Sequence, residues 1–143
     1  MNGEMQSLNS TISSSEHKLI LVSFFQTTCV PCIQEIRDLL KLGSKLEEAK
    51  LPGFELVLVG SKEDRQSVHS FLRKFEFNPK HVLNDPNGKL DKDFDLGSIP
   101  VLLVLNKNGQ ILEDLRGQVL SKIREKMGFE ELIEKNLAVD KCR

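Results

Sequence analysis

The stretch Leu19-Ile20-Leu21-Val22-Ser23-Phe24-Phe25-Gln26-Thr27-Thr28-Cys29-Val30-Pro31-Cys32 decides how this chain is read. Its first seven residues are apolar except for Ser23, the pattern of a strand buried on both faces. Gln26, Thr27 and Thr28 interrupt that run. Beyond Cys29, Ile33, Ile36, Leu39, Leu40 and Leu46 fall at helical spacing, while Glu35, Arg37, Lys41, Lys45 and Glu48 lie mostly on other faces. The two cysteines therefore sit where a buried strand gives way to a helix. Thiols separated by two residues can close a small disulfide ring. At a helix N-terminus the first sulfur meets unsatisfied backbone N–H groups and the positive end of the helix dipole. Both favour thiolate over thiol, which makes that sulfur a better nucleophile and a better leaving group.

Composition sets the frame. The chain has 143 residues, enough for one domain with a core that needs no staples. A net charge of −1, without any long basic block, implies neither nucleic acid nor an anionic membrane surface as partner. No apolar stretch approaches the roughly 20 residues of a membrane span. With neither Trp nor Tyr in the chain, Phe, Leu, Ile and Val must supply the core. Three cysteines are too few for a disulfide scaffold. The segment 1–17 is polar, rich in Ser and Asn, and expected to be flexible. It lacks a charged-then-apolar signal pattern, so the chain reads as cytoplasmic or as the trimmed form of an exported protein.

The rest alternates strand and helix signals. Lys18 to Phe25 reads as a strand and Cys29 to Lys50 as a helix ended by Leu51-Pro52-Gly53. Phe54 to Val59 is a second buried strand. Ser61 to Asp64 offers capping side chains for a helix whose stripe is Val68, Phe71, Leu72 and Phe75. His81 to Leu83 is a short extended piece before the turn Asp85-Pro86-Asn87-Gly88, and Lys89 to Phe94 forms a short helix. Gly97-Ser98-Ile99-Pro100 introduces a strand over Val101 to Leu105. Asn106-Lys107-Asn108-Gly109 turns into a returning strand, Gln110 to Leu115. Leu120 to Leu137 reads as a last amphipathic helix. The order specifies an α/β domain with a mixed central sheet and helices on both faces.

Cys29-Val30-Pro31-Cys32 admits three readings: a redox dithiol, half of a zinc site, or an inert local disulfide. Zinc needs two further ligands, and His17, His69, His81 and Cys142 are scattered singly. Redox chemistry is the reading adopted, with no metal site. Cys29 is then the attacking sulfur and Cys32, one turn further in, the resolving one. Pro31 suits the first helical turn, where its missing N–H costs little. The histidines read as surface residues, the Phe71/Phe75 pair as core, and Cys142 as a solvated thiol on a polar tail.

The succession Phe24 to Glu35, Asp85-Pro86-Asn87-Gly88, Gly97-Ser98-Ile99-Pro100 and Asn106-Lys107-Asn108-Gly109-Gln110-Ile111 resembles the thioredoxin fold, and more narrowly the TlpA/ResA-type thiol–disulfide oxidoreductases. The likeness runs from about Lys18 to Leu137. It implies a thioredoxin-like domain over 18–138, with 139–143 as a C-terminal tail. It also implies a cis-proline at Pro100, lying against the disulfide and exposing the backbone of Ile99 to a substrate chain. Thr28, Val30 and Pro31 complete the expected substrate-facing set. Glu35, three residues after Cys32, matches an acid often found near the dithiol in this subfamily, where it could pass protons. As a bare residue it reads equally as a solvated position on the helix.

Two departures stand out. Thr28 replaces the Trp common before the first cysteine, and Ser23 stands where thioredoxins carry a buried Asp. The N-terminal hairpin of the TlpA type is also hard to find within Met1 to Lys18. The resemblance implies a monomer that reduces protein disulfides outside the cytoplasm, for example in cytochrome c maturation. Electrons would come from an upstream dithiol donor such as a membrane thiol transporter, with no cofactor beyond the Cys29–Cys32 disulfide. Two alternatives remain: a copper carrier, which needs a further His or Met near the dithiol, and a non-catalytic interaction module on the same fold.

Overall fold

The computed structural model describes residues 19–48, 54–106 and 108–116. Among these residues five strands form one sheet in the order β3-β2-β1-β4-β5. These are β1 (Leu19–Phe25), β2 (Phe54–Ser61), β3 (His81–Asp85), β4 (Val101–Asn106) and β5 (Ile111–Arg116). Three helices, again among the described residues, join them: α1 (Val30–Glu48), α2 (Arg65–Lys74) and α3 (Lys89–Phe94). β1 lies in the middle, parallel to β2 and antiparallel to β4. β2 is parallel to β3, and β4 is antiparallel to β5. The expected α/β order is observed, and the sheet is mixed as its signals required. The final helix expected over Leu120 to Leu137, the segment 1–17 and Cys142 lie outside the described residues.

β1 is central because every one of its residues can be buried, and all are. Side chains alternate across a strand, so Ile20, Val22 and Phe24 point to one face. There they join Val57 and Val59 of β2, Val101, Leu103 and Leu105 of β4, and Leu90 and Leu96 at α3. Phe25 points to the other face and packs with Cys32 and Ile36 of α1, Leu58 of β2, and Val68, Phe71 and Leu72 of α2. Helices therefore cover both faces. Burying a single Phe or Leu side chain contributes roughly 1.5–3 kcal/mol, so two such layers anchor the strand that ends at the cysteines.

The second face carries the aromatic residues. Phe25 stacks on Phe71 at 5.2 Å between ring centroids, and Phe71 meets Phe75 at 5.1 Å. Phe71 is thus in the core, as its spacing indicated, and half-buried Phe75 packs against the same cluster. Gly60 allows α2 to approach β2, because a Cβ there would stand 2.5 Å from Val68 Cγ2. Among the described residues no helix is long and apolar enough to cross a membrane.

The short elements owe their bounds to local capping. Asp64 caps α2 by accepting from the Ser67 N–H at 2.7 Å. That hydrogen bond holds the Asp64 carboxyl below the usual aspartate range. α3 is capped from further away. Its N-cap is Gly88, in the left-handed region at φ 67°, which has no side chain to offer. Buried Asp85 instead accepts from Lys89 N and Leu90 N, both at 2.9 Å. Of the histidines, His69 is exposed as expected. His81 differs: it is half-buried on β3 and its Nε2 pairs with Glu55 Oε1 on β2. That contact crosses between adjacent strands, so the sequence around His81 gives no sign of it.

Candidate active site

The cysteines occupy the turn between β1 and α1. Cys29 N donates to Gln26 O at 3.1 Å, which closes the turn after β1. α1 begins at Val30, one residue later than the apolar pattern suggests, so Cys29 stands immediately outside the helix. Cys29 and Cys32 form a disulfide with Cα atoms 5.3 Å apart. The Cys32 N–H donates to Cys29 Sγ at 3.3 Å. No acidic side chain lies in the first turn of α1 to compete for its N-terminal donors. The first sulfur thus meets both the dipole and a directed N–H, each of which favours a thiolate.

The two sulfurs are not equivalent in access. Cys32 is fully buried and Cys29 half-buried. Around Cys29 the surface is open: Thr28 and Pro31 are exposed, and Val30 is 73% exposed. Cys32, Glu35, Ile36, Leu39 and Leu42 form the buried stripe of α1, at spacings of three and four that share one helical face. Glu35 is only 7% exposed, which removes the reading of a solvated surface position. Ser23 lies buried in β1, on the face opposite Phe24. Its Oγ finds no hydrogen-bond partner among the described residues.

Ile99 and Pro100 come from a distant part of the chain. Because β4 runs antiparallel to β1, its first residue, Val101, pairs with Phe24 at the end of β1. The loop entering β4 therefore reaches the end of the sheet where the cysteines sit. The Ile99–Pro100 bond is cis, as the resemblance implied. Pro100 is buried, while half-buried Ile99 packs against the cluster that contains Cys32 and carries Cys29 at its edge. The fold thus brings Thr28, Cys29, Val30, Pro31, Cys32, Ile99 and Pro100 to one end of the sheet, with Glu35 one turn inside α1.

Sequence reading missed a group of polar residues behind this site. Glu63 Oε1 accepts from both Thr27 N and Thr27 Oγ1, each at 2.9 Å. Ser61 Oγ donates to Asp91 Oδ2 at 3.3 Å, and Lys62 Nζ lies 3.8 Å from the same oxygen. Asp85 was legible as a turn residue and not as a cap. The signal available for it was an acid four and five residues before the first N–H groups of a short helix that opens on glycine. Glu63 left no local signal, because its partner lies on another loop. Among the described residues no three His, Cys, Asp or Glu side chains gather into a metal-binding group.

A family model described as thioredoxin-like matches residues 16–111. Over 106 residues the chain is 26% identical to the thiol-disulfide oxidoreductase ResA of Bacillus subtilis, covering 74% of this chain and 57% of that protein. The chain thus spans little more than half the length of the curated relatives it matches. Its fold is similar to the thioredoxin domain of a thiol-disulfide oxidoreductase from Bacteroides vulgatus, with TM-score 0.62 and 20% identity over 82% of this chain and 81% of that one. It is likewise similar to StoA of Bacillus subtilis, with TM-score 0.62 and 19% identity over 78% of this chain and 84% of that one.

Proposed function

The chain belongs to the thioredoxin-like family, and on that premise we propose that it is a thiol–disulfide oxidoreductase acting on protein disulfides. The observation that carries this reading is the unequal access of the two sulfurs. Cys29 is half-exposed at the start of α1, within reach of the Cys32 N–H, while Cys32 is buried behind it. The Cys29 thiolate attacks one sulfur of the partner disulfide and expels the other as a thiolate. The Cys32 thiolate then attacks Cys29 Sγ, closes the Cys29–Cys32 bond and releases the second partner sulfur. Two electrons pass to the partner, and each expelled thiolate takes a proton.

The exposed residues Thr28, Val30 and Pro31, with Ile99 and Pro100, form the partner-facing surface. The backbone beside the cis-proline pairs with an extended segment of the substrate. Glu35, one turn below Cys32 on the same face of α1, takes up the proton as the resolving thiol ionises. The direction is reduction of substrates, as a monomer, outside the cytoplasm, in a role such as cytochrome c maturation. An upstream dithiol donor, such as a membrane thiol transporter, restores the reduced pair.

Insulin reduction comparing wild type with Cys29→Ser tests the exchange. The variant is expected to fall to the uncatalysed rate, and equal rates would overturn the reading. Cys32→Ser should accumulate a mixed disulfide through Cys29, visible as a reducible mass adduct.

A further inference from the structure

We propose that Glu63 is the positioning residue of the Cys29 loop, an inference that rests on the exchange reading above. Gln26, Thr27 and Thr28 connect β1 to Cys29, and the hydrogen bond from Cys29 N to Gln26 O shapes the turn without fixing its place in the fold. That place is set from outside. One oxygen of Glu63 receives both the backbone N–H and the hydroxyl of Thr27 at 2.9 Å, from 36 residues away in sequence. Gln26 Nε2 adds a longer bond to Ser61 O at 3.4 Å.

A carboxylate accepting two donors from one residue holds its backbone and side chain together, and charge-assisted bonds of this kind are about twice as strong as neutral ones. Thr27 lies two residues before Cys29, so whatever fixes Thr27 limits where Cys29 Sγ can sit.

Glu63 is itself held rigidly. Lys62, in the left-handed region at φ 57°, turns the chain immediately before it, and Lys62 N donates to Asp85 O at 2.8 Å. Asp64, immediately after it, caps α2. The loop also contacts α3 through Ser61 Oγ and Lys62 Nζ, which both reach Asp91 Oδ2. α3 leads through Leu96 into Gly97, Ser98 and the Ile99–Pro100 loop. A single loop, Ser61–Asp64, therefore braces the cysteine turn on one side and the helix leading to the cis-proline on the other. With Glu63 in place, Cys29 Sγ stays in register with the Cys32 N–H. Without it, the sulfur loses that fixed donor and its thiolate is less favoured.

The test is the pH dependence of iodoacetamide alkylation at Cys29, read by mass spectrometry on the reduced full chain. The Glu63→Ala variant should move the alkylation midpoint to higher pH and slow insulin reduction roughly ten-fold. Glu63→Gln keeps an acceptor oxygen with two lone pairs but gives up the charge assistance, so its midpoint should lie between those of wild type and Glu63→Ala.

A Glu63→Ala midpoint equal to wild type overturns the proposal, even if the melting temperature falls. So does a Glu63→Gln midpoint as high as that of Glu63→Ala, because keeping the acceptor oxygen would then make no difference. Should Glu63→Ala fail to fold, Thr27→Val deletes the hydroxyl donor alone, and an unshifted midpoint there overturns the proposal equally. Alkylation needs no protein substrate, so these outcomes stand apart from the wild-type insulin assay that tests the exchange reading.

Discussion

The two faces of the sheet differ in kind. The face covered by α3 is closed by aliphatic residues from β1, β2 and β4, and Phe24 meets Phe94 there at 5.8 Å between centroids. The face covered by α1 and α2 holds the disulfide, the aromatic stack and buried Glu35. Along β1 the contrast is a matter of single residues, because Val22 and Phe24 look one way while Ser23 and Phe25 look the other. Both faces also bury polar groups: Ser61 and Asp85 on the α3 side, where Asp85 caps the helix, and Ser23 and Glu35 on the side of the dithiol. A strand buried on both sides lets both layers share one backbone.

The largest expected effect strikes the face covered by α3. Phe24→Ala should cost about 3–5 kcal/mol in chemical denaturation, since it leaves a cavity among fully buried neighbours. A cost below about 1 kcal/mol would mean that this face tolerates loss as a surface does. Exchanging characters between the faces comes next. Val22→Ser should cost about 3 kcal/mol, by removing methyl groups and burying a hydroxyl. Ser23→Ala should stay within about 1 kcal/mol of wild type, because its hydroxyl has no partner among the described residues. Equal penalties at the two positions would erase the proposed difference between the faces.

The smallest effect sharpens the comparison at the edge of α2. Hydrogen bonding from Ser67 lowers the Asp64 pKa from 3.8, so its charged form favours the folded state. That contribution is present above the unfolded value and is lost as pH falls through the lower folded one. The stability gap between wild type and Asp64→Ala should therefore be steady near neutral pH and narrow below about 3.8. A gap that is constant into the acid range would assign the effect to helix propensity and not to the cap.

The β1–α1 junction was legible because burial and helix periodicity leave their marks on consecutive residues. The same holds for the short helix Lys89–Phe94 and for the Asp64 cap, whose partners lie within a few positions. Glu35 was poised between two readings, since its spacing from Cys32 places it on a shared face without saying whether solvent reaches that face. Burial decides it. Glu63 and the His81–Glu55 pair were invisible for a different reason: each joins segments that meet only after the sheet has formed. Pro100 was legible only through resemblance, because an isolated X–Pro bond favours trans.

The antiparallel placement of β4 beside β1 has a consequence for how the molecule comes into being. During synthesis both cysteines and the whole of α1 leave the ribosome well before Val101, the residue that pairs with Phe24. Until that long-range pairing closes, the growing chain carries two thiols but lacks the Ile99–Pro100 wall beside them. The dithiol is thus encoded early and the loop that packs beside it late, and the interval between them is written into the strand order.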